Sequence, residues 1–218
     1  MRDLRRLAAV PDERSRASAS ALAEGARREG LLDVALGTAD TPVGRLLVAV
    51  SGRGLVRVAF PEEDRDAVLE ELARGISPRI LESAGVTDAA RRELEEFFER
   101  KRTRFDVRVD RRLMAPFARK VLAATARIPF GRVRSYREIA AAVGSPRAAR
   151  AVGNALASNP VPIVVPCHRV IRAGGEVGGY GGGPERKAAL LMLEGADVVR
   201  RGRRGPGVSI GEGGSGRT

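Results

Sequence analysis

The residues best suited to chemistry in this sequence are one cysteine and one histidine that stand side by side. Cys167 and His168 are the only residues of their types among 218, and they follow an apolar, β-branched run between Pro162 and Pro166. Such a run predicts a short buried strand or strand-like segment that stops abruptly and presents Cys167 at its end. A thiolate is a strong nucleophile when a neighbouring base takes its proton. Free cysteine is also commonly an inert core residue, so the pair alone leaves both interpretations open.

The counts of cysteine and histidine exclude two kinds of site. A single cysteine cannot form a disulfide within the chain, and with a single histidine it cannot supply the four nitrogen and sulfur ligands of a structural zinc site. The glycine-rich stretch 172–183 lacks the lysine and the serine or threonine of a phosphate-binding P-loop. We therefore expect neither a metal nor a cofactor.

Positive charge is concentrated around the cysteine. The net charge is +12, with 36 arginines and 3 lysines. Between residues 111 and 172 the only acid is Glu138, against twelve basic residues: Arg111, Arg112, Arg119, Lys120, Arg127, Arg132, Arg134, Arg137, Arg147, Arg150, Arg169 and Arg172. An arginine excess can form an ordinary solvated surface, but a field concentrated in this way is what a nucleic acid requires of its partner.

Length and composition bound the class of protein. A chain of 218 residues with 43% apolar content can bury one large core or two small ones, and we favour two domains. The sequence shows neither a cleavable signal nor an apolar stretch long enough to span a bilayer. We therefore expect a soluble, cytoplasmic protein with no membrane partner.

The N-terminal part of the chain predicts a small α+β domain over 31–110, after an extension over 1–30 that is helical or disordered. Three apolar, partly alternating runs separated by turn residues indicate an antiparallel three-stranded meander. These runs are Leu31–Gly37, Arg45–Val50 and Leu55–Phe60. The pattern then predicts two helices and one further strand. Their expected bounds are Pro61 to Arg74, Asp88 to Lys101 and Phe105–Val109.

The segment 111–196 predicts a second, helical domain. Phe117–Ala126 has a helical pattern. Ser135 and Glu138 have the spacing of a capping box, which opens a helix that stops at Gly144.

A further helix follows so closely that the pair is typical of a helix-turn-helix motif. Ser145 and Pro146 have the residue types of an N-cap and a first-turn proline, and they open a helix to about Ser158. Because this helix carries arginines, the motif favours DNA binding. A final helix is expected from Pro184, before a disordered glycine- and arginine-rich tail over 197–218.

The motif around the cysteine resembles that of the O6-alkylguanine-DNA alkyltransferase family. The matching segments are Pro166-Cys167-His168-Arg169-Val170, Asn159-Pro160-Val161-Pro162, Arg150-Ala151-Val152-Gly153, Gly179-Tyr180 and Leu193-Glu194-Gly195. The resemblance is continuous over 117–195 and looser over 34–109. It implies an α+β fold in which a small antiparallel-sheet, ribonuclease H-like domain precedes a winged helix-turn-helix-like alkyltransferase domain.

The resemblance also implies an activity, that of a single-turnover methylated-DNA–protein-cysteine S-methyltransferase. Cys167 then takes the alkyl group from O6 of guanine, or from O4 of thymine, and keeps it as a thioether. His168, oriented by Glu194, is the implied base that acts on the thiol through a water molecule. Asn159 is implied to tie the active-site turn to the helix-turn-helix, and Tyr136 to protonate the leaving guanine.

The implied partner is double-stranded DNA containing O6-alkylguanine, whose damaged base must be flipped out to reach the thiol. The implied DNA-binding residues are Tyr136, Arg137, Ser145 and Arg150, of which Arg150 fills the vacated stack. The implied base pocket consists of Leu156, Pro162, Val170, Tyr180 and Gly181. Gly181 stands where some members have serine, so we expect tolerance of bulkier alkyl groups. A protein that acts once needs no oligomer, and we expect a monomer.

Three alternatives compete with this interpretation. A lesion-binding alkyltransferase-like protein would lack the acceptor cysteine, and Cys167 argues against it. A cysteine hydrolase using Cys167 and His168 would not explain the charge around the helix-turn-helix. A regulatory DNA-binding protein whose thiol only senses its surroundings is left open by the residues alone.

Overall fold

The chain folds as a sheet-containing unit followed by a helical unit, which confirms the expected α+β class. The structure is a computed structural model that describes residues 25–26, 29–30 and 32–196, together with the backbone of strands at 198–200 and 206–208. The first unit contains β1 (Val34–Thr41), β2 (Gly44–Ser51), β3 (Gly54–Ala59), α1 (Arg65–Gly75), β4 (Ile80–Glu82) and α2 (Ala84–Phe98). The second contains α3 (Pro116–Thr125), β5 (Arg134–Ser135), α4 (Tyr136–Ala142), α5 (Ala149–Ala157), a 3-10 turn (Cys167–Arg169), β6 (Val170–Ile171) and α6 (Pro184–Leu193).

The sheet has the strand order β3-β2-β1-β4, and β2 is antiparallel to both β1 and β3. This arrangement confirms the predicted meander. The two hairpin turns end at Gly44 and Gly54, whose φ angles of 110° and 128° are accessible to glycine at little cost. Strand β4, parallel to β1, was not predicted. Its three residues include the exposed Leu81 and Glu82, so it has no apolar alternation to detect.

The two helices of the first unit cover opposite faces of the sheet. On one face Val68 and Leu72 of α1 pack with Val34 and Leu36. On the other face Leu94 and Phe97 of α2 belong to a larger core with Leu46, Val48 and Leu55. Both layers therefore bury the alternating apolar side chains of the strands.

Both predicted helix starts in this unit were wrong, because capping side chains set them elsewhere. Helix α1 begins after Asp64, whose carboxylate accepts a hydrogen bond from the backbone N–H of Asp66 at 2.9 Å. Helix α2 begins after Ser83, well before the predicted Asp88. It ends at Phe98 because Arg100 takes a left-handed φ of 59°, a common helix-terminating conformation.

In the second unit, the predicted capping box is confirmed, but the start of the next helix was wrong. Ser135 Oγ accepts from the N–H of Glu138, and Glu138 reaches back to the N–H of Ser135. Ser145 does not cap α5, which begins at Ala149 without a side-chain cap. The N–H of Ser145 instead bonds the carbonyl of Ala140, and its carbonyl accepts from Ala148, so it forms the turn between the helices.

One hydrophobic core runs through both units. The Phe97 ring lies 5.3 Å from that of Phe105 and 6.0 Å from that of Phe130, measured between centroids. The N–H of Val58 donates to the carbonyl of Pro160 at 2.8 Å. The predicted strand Phe105–Val109 joins the sheet only through a single bridge between Val109 and Leu55.

The predicted N-terminal extension and C-terminal tail fall mostly outside the described residues and stay predictions. Gly25 and Ala26 are helical. Two stretches of the predicted tail, β7 (Val198–Arg200) and β8 (Pro206–Val208), pair as antiparallel strands, which their composition did not indicate. Within the described part of the chain, no helix is long and apolar enough to cross a membrane.

Candidate active site

Cys167 is the first residue of a 3-10 turn that directly follows Pro166. The N–H of Cys167 donates to the carbonyl of Val165 at 2.8 Å. The predicted strand before it was wrong, because Val164 N–H closes a turn onto the carbonyl of Pro162. The turn holds the buried Ile163 at a φ of 73°, which is strained for a β-branched residue. Such strain is found mainly where a segment must hold a fixed shape.

Asn159 connects the end of the helix-turn-helix to the thiol. Its Nδ2 donates to Cys167 Sγ at 3.1 Å and to the carbonyl of Val165 at 2.9 Å, while its Oδ1 accepts from the N–H of Val161 at 3.1 Å. Burial raises the pKa of the Cys167 thiol, and the Asn159 hydrogen bond and the charge of Lys187 only partly oppose that shift. The resting thiol is therefore protonated and needs a base to become a nucleophile.

His168, the next residue, is fully buried. Its Nε2 lies 2.8 Å from Glu194 Oε1. Because a carboxylate can only accept, Nε2 carries the hydrogen and Nδ1 is left as the basic nitrogen. Nδ1 has no hydrogen-bond partner among the described residues. Burial holds the pKa of His168 below its usual value, against the opposing effect of Glu194, so the ring is neutral.

Arg169 neutralises the buried carboxylate of Glu194, a role that the sequence did not reveal. The guanidinium donates from Nε and Nη2 to Glu194 at 2.8 to 3.1 Å, and from Nη1 to the carbonyl of Ile128 at 2.6 Å. Glu194 also accepts from the N–H of Gly131. Arg169 was predicted to contribute to the positive charge that faces DNA. That prediction was wrong, because this arginine is buried and paired with Glu194.

Lys187 is a second buried cation, which the sequence did not indicate. Its Nζ donates to the carbonyl of Val170 at 2.5 Å and to that of Gly179 at 3.3 Å, and lies 5.8 Å from the centre of the Tyr136 ring. Burial lowers the pKa of Lys187 to about 8. The sequence feature that could have singled out Lys187 is the rarity of lysine in this arginine-rich chain.

A cavity of about 220 Å³ opens beside the thiol. Four of the predicted base-pocket residues line it together with Cys167: Leu156, Pro162, Tyr180 and Gly181. Val170 does not line it, because its side chain is fully buried in the main core. The Tyr180 hydroxyl is buried without a partner among the described residues.

The sheet unit contributes a wall of this cavity, which was not predicted. Phe60 lines it, and its ring meets that of Tyr180 edge-on at 5.8 Å between centroids. The guanidinium carbon of Arg186 lies 4.6 Å from the centre of the Phe60 ring, and its nitrogens bond Glu62 and the carbonyl of Val43. The pocket thus depends on contacts between residues far apart in sequence.

The predicted DNA-binding residues lie on and between α4 and α5. Arg137 and Arg150 are exposed, and neither pairs with a carboxylate among the described residues. Ser145 is half-buried in the turn. Tyr136 is half-buried at the start of α4, and its hydroxyl lies 3.5 Å from the carbonyl of Gly179. Burial raises the pKa of Tyr136, which keeps the phenol protonated.

Together these features define an α+β protein with a helix-turn-helix and a buried, hydrogen-bonded cysteine beside a cavity. No cluster of three or more histidine, cysteine, aspartate or glutamate residues suited to a metal occurs in the described residues. The comparisons with known proteins agree with this class.

The family model for the 6-O-methylguanine DNA methyltransferase, ribonuclease-like domain matches residues 34–111, and that for the DNA binding domain matches residues 116–196. The methylated-DNA–protein-cysteine methyltransferase of Mycobacterium bovis is 41% identical over 157 residues, which are 72% of this chain and 90% of that protein. The constitutive enzyme of that name from Bacillus subtilis is 39% identical over 161 residues, covering 72% and 93%.

A crystal structure of Mycobacterium tuberculosis OGT in complex with DNA matches with a TM-score of 0.64 and 40% sequence identity, covering 73% of this chain and 92% of that chain. The chain belongs to the 6-O-methylguanine DNA methyltransferase family. The family expected from the motif around Cys167 is thereby confirmed.

The buried, neutral His168 should make the protein less stable in mild acid. It is the sole histidine, and because burial lowers its pKa in the folded state, the unfolded chain binds a proton that the folded chain does not. Stability is therefore lost as the pH falls through about 6.5, the usual histidine value. Urea unfolding measured between pH 8 and pH 5 should show this loss, and His168→Gln should remove it. A wild-type profile without the loss would contradict the assignment.

Proposed function

We propose that this chain repairs DNA by moving an alkyl group from O6 of guanine to Cys167, once per molecule, as a methylated-DNA–protein-cysteine S-methyltransferase. The observation that carries the proposal is the buried thiol of Cys167, held by Asn159 and adjacent to a neutral His168 paired with Glu194. The name shared by the Mycobacterium and Bacillus relatives supports it. O4-alkylthymine is proposed as a second substrate of the same chemistry.

The proposed step is a direct displacement at the alkyl carbon. His168 Nδ1 receives the thiol proton through a water molecule, the sulfur bonds the alkyl carbon, and the bond from that carbon to O6 breaks with its electron pair. The guanine then takes a proton, for which Tyr136 is the proposed donor, and the proton gained by His168 is released to solvent while the Tyr136 phenolate takes one back. The products are an S-alkyl cysteine and an unmodified guanine. Removing the alkyl group again would require the Cys167 thiolate to leave from the alkyl carbon, and because a thiolate is a poor leaving group from a thioether, the protein is consumed.

The base is proposed to reach Cys167 by flipping out of the duplex, which costs a few kcal/mol. In this scheme Arg150 fills the vacated stack, and Tyr136, Arg137 and Ser145 contact the flanking backbone. The exposed Ala151 and half-buried Gly153 on α5 leave room for a close approach to the minor groove. The flipped base would lie between Leu156, Pro162, Tyr180 and Gly181.

The proposed partner is double-stranded DNA carrying the lesion. Because each molecule acts once, a monomer is sufficient for the reaction. The proposed location is cytoplasmic, since the bacterial relatives keep their DNA in that compartment. A lesion-binding protein without chemistry is not favoured, because the acceptor cysteine is present.

The proposal is tested by intact mass after incubation with duplex DNA containing O6-methylguanine. One methyl group should replace one hydrogen, at Cys167 by peptide mapping, and excess substrate should add no second group. Cys167→Ala should stay unmodified. Repeated turnover, or an unmodified wild-type protein, would refute the proposal.

Arg150→Ala should slow transfer from duplex DNA while leaving transfer from a free base intact. Without Arg150 the flipped-out state of the nucleotide is less stable. We therefore expect the rate of transfer from duplex DNA to fall by about tenfold or more. Single-turnover rates with O6-methylguanine duplex and with free O6-benzylguanine measure the two reactions. Arg53→Ala, on the exposed turn before β3, is the matched control. Equal losses on both substrates would argue against a role in flipping.

Gly181→Leu should narrow the pocket and select against bulky alkyl groups. A Cβ at Gly181 meets nothing within 4 Å, so the fold should tolerate the side chain. One extra or missing methylene in a hydrophobic pocket changes discrimination by roughly 10- to 200-fold, and we expect the benzyl-to-methyl rate ratio to fall by at least about tenfold. A strong methyl preference already present in the wild type would contradict the idea that Gly181 opens the pocket.

A further inference from the structure

A second cleft, of about 850 Å³, lies against the residues that precede Cys167. It is bounded by the segment 103–109, by helix α3 with the residues after it, and by Val164, Val165 and Pro166. It shares no lining residue with the cavity beside the thiol. We call it the arginine cleft, and its volume is within the range of sites that bind ligands or side chains.

The interior of the arginine cleft is apolar. Phe105, Val107 and Val109 alternate along one extended segment and line it, opposite Leu122 of α3. Val164 lines it as well and is half-buried. An apolar surface that is concave and partly open to solvent is suited to receiving an apolar side chain.

The rim of the cleft is cationic and contains no acid. Four exposed arginines line it: Arg104, Arg111, Arg119 and Arg127. Over residues 32–196 none of them has a carboxylate within ion-pair distance, although Arg119 Nε bonds the carbonyl of Met114. Other exposed arginines of the described residues are divided: Arg45, Arg65, Arg74, Arg79 and Arg134 pair with acids, whereas others, such as Arg53, Arg108 and Arg150, do not. The cleft therefore combines an uncompensated positive rim with an apolar interior.

We propose that the arginine cleft binds an acidic peptide segment of a partner protein, anchored by a bulky apolar side chain. Guanidinium groups bind carboxylates with paired hydrogen bonds, and the interior bounded by Phe105, Val107 and Val109 takes the apolar anchor. The phosphates of a DNA backbone would pair with the rim arginines, but they would leave the apolar interior of the cleft without a partner. The cleft shares no lining residue with the cavity that holds Cys167, although the buried Arg169, which pairs with Glu194, lines the cleft from within.

The test uses a fluorescein-labelled, aspartate-rich peptide that ends in phenylalanine, with fluorescence anisotropy as the readout on the full chain. A peptide ending in serine tests the apolar anchor, and a labelled undamaged duplex tests DNA. The double variant Arg104→Glu/Arg111→Glu reverses two rim charges. Arg53→Glu/Arg108→Glu makes the same charge change at two exposed arginines that do not line the cleft. Ala123→Phe, on α3, fills the cleft without changing its charge.

The rim variant should weaken peptide binding by at least about tenfold, and far more than the control pair, with an affinity that falls as salt is added. Ala123→Phe and the serine-ended peptide should also bind more weakly. All variants should keep the wild-type melting temperature and transfer benzyl from free O6-benzylguanine to Cys167. The proposal is overturned if the peptide does not bind, or if the rim variant and the control variant weaken peptide binding equally. It is also overturned if the serine-ended peptide binds as tightly as the phenylalanine-ended one, or if the rim variant loses affinity for the duplex and not for the peptide.

Discussion

The buried carboxylate of Glu194 is the charge around which the acceptor turn is built. An unpaired carboxylate in such a place would be costly, and Arg169 supplies the compensating cation with hydrogen bonds from Nε and Nη2. Because the arginine carries the positive charge, His168 can stay neutral while Glu194 fixes its orientation through Nε2. Arg169 thus compensates the charge of Glu194, while the neighbouring His168 keeps Nδ1 without a hydrogen-bond partner among the described residues.

The same burial determines the state of the thiol. Burial raises the pKa of Cys167, so the resting group is not the reactive thiolate. Asn159 donates to the sulfur, and Lys187 contributes positive charge nearby, and both favour the thiolate once a base removes the proton. An acceptor that can be used only once benefits from this arrangement, since a protonated and buried thiol is poorly reactive toward small electrophiles in solution.

The parts of this site that could be predicted from the sequence are those with a local or compositional signal. Cys167 and His168 are unique residues, and the capping box at Ser135 is a short-range pattern, so each could be identified from the chain alone. Arg169 could not be distinguished from the surface arginines, because a charge count carries no information on burial. Phe60 was missed for a different reason, since it reaches the cavity only through the packing of one unit on the other. The alternation of Phe105–Val109 predicted a strand, but the structure uses it mainly to line a cleft.

The sheet unit is therefore a structural part of the active site and not merely a neighbour of it. On one side of the acceptor turn, Phe60 packs on Tyr180 and lines the cavity beside the thiol. On the other side, the segment Phe105–Val109 faces Val164, Val165 and Pro166 across the arginine cleft. The strained Ile163 lies within this turn, and strain of this kind persists only where the surroundings over-determine the backbone. Contacts from both units supply that constraint, which explains how a short loop without regular strand pairing can hold Cys167 in one position relative to His168 and Asn159.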